Sequence, residues 1–275
     1  MTETAAKPDP DIGSIASALV EARRTARALA VYPGALPTSL EAGYAIQSAG
    51  MAAHGGAIAG WKVGRIWPPF DAQFGSDRLA GPVFAAGVVI ARGASASTLP
   101  VFEGGFGAVE AEFIFRLGDV PHGQARFSLA EAAATIAGVH VGIEIASSPL
   151  PTINDLGPAV TVSDFGNNHG LIVGPEIADW ADVGIDRWRI SVLIDGAVVG
   201  TGVAADFPDG TLGSVRFLLE LMALRRISVP PGTLVSTGAI TGVHAIAAGQ
   251  SVAVHFGDRH SLFCRVTRAI SFMDK

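Results

Sequence analysis

Three glutamates in two strand-like segments are the residues of this chain best suited to chemistry. In AVEAEFIFRL (residues 108–117), alternate residues form an apolar face, and Glu110 and Glu112 lie on the other face of the same segment. In VHVGIEIA (residues 139–146), Glu144 likewise lies on the face away from the apolar residues. Carboxylate oxygens without cysteine partners suit a hard cation, Mg²⁺ or Mn²⁺. The pattern alone leaves open a second interpretation, in which the acids lie on a solvated strand face and bind nothing.

Two further side chains near these acids could take part in proton transfer. His140 shares the non-core face of its segment with Glu144, and a purely structural histidine is the alternative. Lys62 lies in the apolar, glycine-flanked run GWKVG. Beside an acidic metal site it could bind a substrate carboxylate or move a proton. The alternative for Lys62 is a surface lysine or a cross-strand charge partner.

Two glycine-rich segments could form loops of the same site. The run DFGNNHG (residues 164–170) precedes an apolar strand, and such a loop either carries function or only turns the chain. The run STGAITG (residues 236–242) follows a strand and could hold an anion through backbone N–H groups, or be a plain turn. The absence of GxGxxG, P-loop and GxSxG patterns argues against dinucleotide, nucleotide triphosphate and α/β-hydrolase sites.

The first part of the chain predicts a small helical lobe over residues 1–56. Residues 1–10 are interpreted as a polar tail. Apolar spacing predicts a helix over residues 11–30, with arginines near its end, where they suit the helix dipole. A second helix is predicted to begin at Thr38, which forms a capping-box pattern with Glu41, and to end at Gly55.

Residues 57–275 predict a second, sheet-rich domain. Two helices are expected within it, over residues 128–137 after a Ser128-x-x-Glu131 capping box and over residues 213–226, and Asp195-Gly196 predicts a hairpin turn. Strands are predicted over residues 61–63, 83–90, 109–117, 139–145, 171–173, 188–194, 197–204, 233–237, 251–256 and 262–271. Because the strands do not alternate regularly with helices, we expect an α+β fold around a curved or rolled sheet.

Composition excludes several classes of protein. The chain has 275 residues, 49 % of them hydrophobic and 16 % charged, so there is enough apolar surface for a large core, and we expect an oligomer. A net charge of −6 without a basic run argues against nucleic-acid binding. A single cysteine, Cys264, cannot form an intramolecular disulfide. The longest apolar run, residues 79–91, is shorter than the roughly 20 residues of a membrane span. A cytoplasmic enzyme without a membrane partner is therefore predicted.

These motifs together resemble a known family over nearly the whole chain. In chain order they are GWKVG, GPVFA, VEAEFIFRLG, the glutamate of GIEI, the aspartate of DFGNN, IDGAVVGTG and STGAITGVHAIAAGQSVAVHFG. The series resembles the 2-keto-4-pentenoate hydratase and 4-oxalocrotonate decarboxylase family of the fumarylacetoacetate hydrolase superfamily. The resemblance implies an α+β fold, with a mixed β-sandwich roll and a small helical N-terminal part.

The resemblance also implies roles for individual residues. Glu110, Glu112 and Glu144 would ligate the divalent cation, and Lys62 matches the active-site lysine. The resemblance also places Asp164 and Thr237 at the site, and we expect Asp164 and Asn167 to be catalytic and Thr237 and Thr241 to bind substrate. Apart from the resemblance, Arg65 is a candidate extra cation for a diacid, and His140 or His169 is a candidate replacement acid–base group. The sequence departs from the family at Ile66-Trp67-Pro68, at Leu79-Ala80 and at Asn167, which alters groups that orient the substrate.

The activity that the resemblance implies is that of a lyase in the breakdown of aromatic compounds. Such a hydratase adds water to a small 2-hydroxy-2,4-dienoate through a metal-stabilised enolate. Three alternatives stay open: a 2-oxo acid decarboxylase, an acylpyruvate C–C hydrolase, and a metal-binding subunit without catalysis. The expected partners are a small 2-oxo or 2-hydroxydienoic acid, further copies of the chain in a homo-oligomer, and a decarboxylase or hydratase in a complex.

Overall fold

A computed structural model describes residues 11–93 and 95–271 of the chain. Residues 1–10, interpreted above as a polar tail, lie outside the described residues. The helices are α1 (Ile12–Thr25), α2 (Leu40–His54), α3 (Phe70–Phe74), α4 (Leu129–Ala134), α5 (Pro158–Ser163) and α6 (Gly210–Arg225). The strands are β1 (Ile58–Arg65), β2 (Arg78–Phe84), β3 (Val88–Ile90), β4 (Ser97–Val101), β5 (Phe106–Leu117), β6 (Ile136–Ser148), β7 (Asn168–Glu176), β8 (Ile190–Ile194), β9 (Ala197–Gly202), β10 (Leu234–Ser236), β11 (His244–Ala245), β12 (Ser251–Phe256) and β13 (His260–Arg268).

The strands form two mixed sheets. The first has the order β2-β1-β10-β5-β6-β7-β3, with β11 paired to β5, and the second has the order β4-β13-β12-β8-β9. The pairs β1–β10, β3–β7 and β4–β13 are parallel, and the other pairs are antiparallel. The predicted α+β fold with a mixed β-sandwich roll is confirmed.

The main core fills the space between the two sheets. Alternate side chains of β5, from Val109 to Leu117, are fully buried there, as their spacing predicted. They pack in one cluster with inward side chains of β8, β12 and β13 and with the apolar face of α6. Since one face of β5 packs in the core, the two glutamates of this strand lie on its opposite face.

Local signals explain most element boundaries, and some corrections follow. Helix α1 ends at Thr25 and not near residue 30, because Ala26 has left-handed backbone dihedrals. The cap of α2 is Ser39, whose side chain accepts from the N–H of Ala42, so the prediction of Thr38 is wrong. The capping box at Ser128 is confirmed. The prediction of one strand over residues 83–90 is wrong, because a 3-10 turn at Ala85–Gly87 separates β2 from β3.

Helices α1 and α2 form a second, smaller core. Ile15, Leu19 and Ile46 pack there against Leu150 and Val160, which come from the segment between β6 and β7. The division of the chain at residues 56 and 57 stays a prediction. Among the described residues, no helix is both long and apolar enough to cross a membrane.

Candidate metal centre and its cavity

The three predicted glutamates meet on the non-core face of the first sheet. Strand pairing places Glu110 directly opposite Glu144, and Glu112 lies two residues further along β5. One carboxylate oxygen from each lies within 4.8 Å of the others, and all three side chains are buried. Like charges that face each other across strands are destabilising, so this arrangement requires compensating positive charge.

Two oxygens of the cluster have no hydrogen-bond partner in the part of the chain that the structure describes. Oε2 of Glu112 accepts from the hydroxyl of Ser236 and, at 2.9 Å, from the N–H of Gly238. Oε1 of Glu144 accepts from Nδ2 of Asn168 at 3.0 Å. Oε1 of Glu112 and Oε2 of Glu144 are buried without a hydrogen bond among the described residues. Since buried polar atoms are nearly always paired, these oxygens are available as ligands for a cation.

The lysine of GWKVG lies beside the same carboxylates. Nζ of Lys62 is 3.2 Å from Oε1 of Glu144, 4.0 Å from Oε2 of Glu110, and 3.3 Å from Oδ1 of Asn167. Burial alone would lower the pKa of Lys62, but the attraction of the three glutamates raises it above its usual value. Lys62 is therefore a cation here, and within residues 11–93 and 95–271 it is the one positive charge paired with these acids.

The excess of negative charge is reflected in the pKa values of the carboxylates. Burial, and then the charge of Glu144, raise the pKa of Glu110 to about 7, although Lys62 acts to lower it. Burial and the other two glutamates raise the pKa of Glu112 well above its usual value. A bound divalent cation would offset the repulsion between the carboxylates and would favour their ionised form.

The cluster opens onto a cavity of about 450 Å³ at the end of β1. Lys62 and Glu110 line it, whereas Glu112 and Glu144 lie behind them and are fully buried. Its charged lining side chains are Lys62, Arg65, Arg78 and Glu110. Most of the remaining lining is apolar, including Trp67 and Phe207. A small organic acid fits such a site in size and charge.

A tight turn presents Asn167 to Lys62. Phe165, Gly166 and Asn167 all have positive φ values of 55° to 61°. Two of these residues are not glycine, so the turn carries backbone strain of the kind that concentrates at functional sites. A Cβ atom at Gly81 would lie 2.0 Å from the carbonyl oxygen of Phe165, so only glycine lets β2 approach the turn. Sequence reasoning identified this segment as a loop but not as a buried one.

Asp164 lies outside the cavity lining that the described residues form, and its expected catalytic role stays a prediction. Its carboxylate is fully buried and accepts from Nη2 of Arg23 at 2.9 Å and from the hydroxyl of Ser148 at 2.6 Å. Asp164 is not among the described residues that line the cavity. Its geometry is that of a structural anchor for the turn that follows. Arg23 was missed as a partner, because its spacing in α1 indicated only a favourable contact with the helix dipole.

Both predicted histidines have partners other than the glutamates. Nδ1 of His140 lies 3.0 Å from the carbonyl oxygen of Gly174. Nδ1 of His169 lies 3.5 Å from Nη1 of Arg23, and its ring lies 4.2 Å from that of Phe102, in a second cavity. His140 shares the face of Glu144 but lies four residues away, which is about 13 Å along a strand. An acid–base role for either histidine stays a prediction.

The remaining predicted site residues divide into two groups. Arg65, Asn167 and Thr237 line the cavity, and the hydroxyl of Thr237 donates to the carbonyl oxygen of Phe113 at 2.9 Å. Thr241 does not line it among the described residues, because its hydroxyl pairs with Nε2 of His244 at 3.0 Å. The turn after β10 does bind an anion through backbone N–H, but that anion is the chain's own Glu112.

Comparison with curated sequences identifies decarboxylases. The chain is 28 % identical over 139 residues to 4-oxalocrotonate decarboxylase of Pseudomonas putida, covering 46 % of this chain and 53 % of that protein. It is 25 % identical over 130 residues to 4-oxalocrotonate decarboxylase of Pseudomonas sp. (strain CF600), covering 43 % and 49 %. The matched region therefore spans about half the length of these curated relatives. No protein-family model matches the chain.

Comparison with solved structures confirms the fold. The 4-oxalocrotonate decarboxylase of Pseudomonas putida G7, complexed with magnesium and adipate, has a TM-score of 0.77 at 21 % identity, covering 93 % of this chain and 97 % of that chain. Fumarylpyruvate hydrolase of Pseudomonas aeruginosa, in complex with Mn²⁺ and pyruvate, has a TM-score of 0.54 at 20 % identity, covering 76 % and 89 %. The resemblance predicted from the sequence motifs is confirmed by these homologues and structural neighbours.

Proposed function

We propose that this chain is a divalent-cation-dependent enzyme that acts on a small 2-oxo or 2-hydroxydienoic acid through an enolate. The observation that carries the proposal is the buried cluster of Glu110, Glu112 and Glu144, which lies beside the cavity and in which two oxygens accept no hydrogen bond from the described residues. Solved neighbours with this fold hold calcium, magnesium or manganese. The donor set consists of carboxylate oxygens, which Mg²⁺ and Mn²⁺ prefer.

The three glutamates fit a hard dication in both number and charge. When all three are ionised, they give a site of zero formal charge together with Lys62 and one dication. Without the dication the same ionised groups would carry a net charge of −2, which favours protonation of part of the cluster. When bound, the cation supplies a Lewis acid that stabilises negative charge on an enolate oxygen. The unpaired oxygens of Glu112 and Glu144 are the ligand atoms that the remaining protein leaves available.

The other residues of the site either carry charge or hold the charged side chains in place. Lys62 is charged and buried at the cavity wall, where its ammonium can pair with a substrate carboxylate or hold a proton. Asn167 accepts from Lys62 and donates to Oδ1 of Asn154 at 3.0 Å, which fixes the direction of the ammonium. Ser236 and Gly238 hold Glu112 in place from β10 and the following turn.

Within this class of reaction, two outcomes compete. The motifs favour a hydratase that adds water to a 2-hydroxy-2,4-dienoate. The curated relatives favour loss of CO₂ from a 2-oxo diacid, because both are named as decarboxylases. Both reactions pass through the same enolate, so the glutamates and Lys62 serve either. Assembly into a homo-oligomer, or into a complex with a hydratase or decarboxylase, stays part of the proposal.

The test compares two substrates in the presence and absence of Mn²⁺. Purified protein is incubated with 2-hydroxypenta-2,4-dienoate and with 4-oxalocrotonate, and both ultraviolet absorbance and CO₂ release are followed. We expect Mn²⁺-dependent turnover of at least one, and CO₂ release from the second identifies a decarboxylase. Glu112→Gln should abolish turnover, while Glu21→Gln, an exposed control on α1, should not. Mn²⁺ binding without turnover of any 2-oxo acid would instead favour a non-catalytic subunit.

A further inference from the structure

The second cavity lies behind the turn that presents Asn167 to Lys62. Its volume is about 360 Å³, which is within the range of small-molecule sites. Phe165 and Asn168 line it, whereas Asn167, which lies between them in sequence, lines the first cavity. Among the residues that the structure describes, none of the three glutamates lies in its wall. A molecule in the second cavity would therefore be separated from the proposed metal site by the turn, and would be bound without being converted.

Aromatic rings line the second cavity in two groups that both lie against Arg23. The guanidinium of Arg23 is 5.3 Å from the ring centroid of Phe165 and 5.6 Å from that of Phe102. The Phe165 ring meets that of Phe84 edge to face, with centroids 5.1 Å apart, and the Phe102 ring lies 4.2 Å from that of His169. All of these side chains line the cavity, so a planar ring of a ligand can pack against them.

Apart from histidines, the charged side chains of the described lining are both cations. Arg23 and Arg268 line the second cavity, and no carboxylate side chain does so in residues 11–93 and 95–271. Their counter-charges, Asp164 and Glu103, lie outside the lining. A cavity whose wall presents cations and no acid favours an anionic ligand.

The two arginines differ in how firmly their own carboxylates hold them. Arg23 is buried and contacts both oxygens of Asp164, so it serves as an anchor within the protein. Arg268 is 66 % exposed, and its Nη2 lies 2.8 Å from Oε2 of Glu103, which is 62 % exposed. Because exposed ion pairs of this kind contribute little to stability, a carboxylate that enters the cavity can replace Glu103 on the guanidinium.

Strand pairing sets Arg268 beside the aromatic wall. In the parallel pair of β4 with β13, Arg268 is the register partner of Val101, which directly precedes Phe102. The exposed cation and the Phe102 ring therefore belong to one end of the cavity. A small molecule that carries a carboxylate on a planar ring can reach both.

We propose that the second cavity binds an aromatic carboxylate, with the carboxylate on Arg268 and the ring against the aromatic side chains of the wall. The guanidinium recognises the planar anion through paired N–H donors, and the rings recognise the flat apolar part of the ligand. The inference does not depend on the proposed function, because none of these contacts belongs to the metal centre.

The test compares three probes by calorimetry on protein freed of divalent cations. Benzoate has both a ring and a carboxylate, benzamide keeps the ring without the charge, and acetate keeps the charge without the ring. We expect benzoate to bind about tenfold or more tightly than either of the others, because each of them lacks one of the two contacts. Removing the divalent cations prevents a probe carboxylate from binding to a metal ion at the glutamates.

Arginine variants locate the bound probe. Arg268→Met should weaken benzoate binding by about tenfold and leave benzamide binding nearly unchanged, and Arg268→Lys should keep part of the preference for benzoate. The matched control is Arg265→Met, since Arg265 is exposed on the same strand and is not among the residues that line either cavity. It should bind benzoate as wild type does. Arg65→Met should also leave benzoate binding unchanged, because Arg65 lines the first cavity and not the second.

Three results would overturn the inference. Benzoate binding that weakens in Arg65→Met and not in Arg268→Met would place the anion in the first cavity. Equal affinity for benzoate and benzamide would show that the cations of the wall do not recognise the carboxylate. No saturable binding of benzoate would show that the cavity is closed to such ligands, for example by a second copy of the chain. Unfolding temperatures of the variants, measured in parallel, separate a lost contact from a lost fold.

Discussion

The buried pair Arg23–Asp164 joins the first helix to the turn that carries the site. Two nitrogens of the guanidinium contact the two carboxylate oxygens, with Nη2 2.9 Å from Oδ2. Arg23 also donates to the carbonyl oxygens of Ser147 and Asn168, both at 3.1 Å. Its guanidinium lies 5.3 Å from the ring centroid of Phe165. One side chain of α1 thus fixes both ends of the strained turn.

Replacing Asp164 should cost stability rather than remove a reacting group. Asp164→Asn leaves the buried guanidinium of Arg23 without its counter-charge, and breaking a buried pair from one side costs about 3–5 kcal/mol. We expect the free energy of unfolding, measured by urea denaturation, to fall by about this amount. The binding free energy of Mn²⁺ should change by less than the free energy of unfolding, because Asp164 contacts none of the glutamates.

A double-mutant cycle provides the control. Arg23→Met should cost a similar amount, and the double variant Arg23→Met/Asp164→Asn should cost less than the sum of the two single changes. Purely additive effects would mean that the two side chains are not energetically coupled, and the anchor role would then be lost.

Removing one glutamate should change how stability depends on pH in the metal-free protein. The pKa of Glu112 is raised by burial and by its acidic neighbours, so the folded state keeps a proton that the unfolded state releases. Wild-type stability therefore falls as pH rises above the unfolded pKa, at about 1.4 kcal/mol per unit of pKa shift. Glu112→Gln does not titrate, so it should gain stability relative to wild type between pH 5 and pH 8.

Urea unfolding in the presence of EDTA at the two pH values measures this difference. The exposed variant Glu21→Gln serves as a control and should follow wild type at both. A stability difference between Glu112→Gln and wild type that does not change with pH would contradict the raised pKa of Glu112.

Cation binding should release protons near neutral pH. The pKa of Glu110 is raised to about 7 and the pKa of Glu112 is also raised well above its usual value, so part of the cluster is protonated before a cation binds. Mn²⁺ needs ionised ligands, so its apparent affinity should rise between pH 6 and pH 8. Calorimetry at pH 6.5 in buffers of different ionisation enthalpy should record proton release. An affinity that does not depend on pH would contradict this.

Variants of Lys62 and His140 distinguish a residue that lies beside the glutamates from one that only shares a strand with them. Lys62→Met should lower turnover by about 10²-fold or more, the usual effect of removing a positioned proton-transfer group. His140→Ala should change turnover by less than about threefold, because its ring pairs with the carbonyl oxygen of Gly174 and lies outside the cavity wall. A large loss in His140→Ala with an unchanged unfolding temperature would restore His140 as an acid–base candidate.

The sequence predicts the glutamate cluster because strand periodicity is a local property. Alternation in residues 108–117 and 139–146 puts the acids on one face, and antiparallel pairing of β5 with β6 then brings Glu110 opposite Glu144. The same reasoning finds the helix after Ser128, whose capping box is a short-range signal. The sequence pattern is sufficient to predict a feature when the contacts that form it lie within a few residues or between adjacent strands.

Contacts between distant segments were beyond such reasoning. Arg23 and Asp164 are 141 residues apart, and periodicity in α1 gives no sign that the arginine is buried. Asn168 and Ser236 were missed for the same reason, since their partners Glu144 and Glu112 lie on other strands. His140 shows the limit of a shared strand face as a guide, because four residues separate it from Glu144 and its role stays a prediction.

Diffraction from crystals grown with Mn²⁺ tests the central claim most directly, since anomalous scattering locates the ion. We expect one peak with an oxygen of Glu110, Glu112 and Glu144 each within about 2.0–2.6 Å, which is the range for hard cations and oxygen ligands. The same crystals of Glu112→Gln should show a weaker peak or none. A wild-type map without a peak at the three glutamates, with Lys62 still the only counter-charge there, would contradict the account.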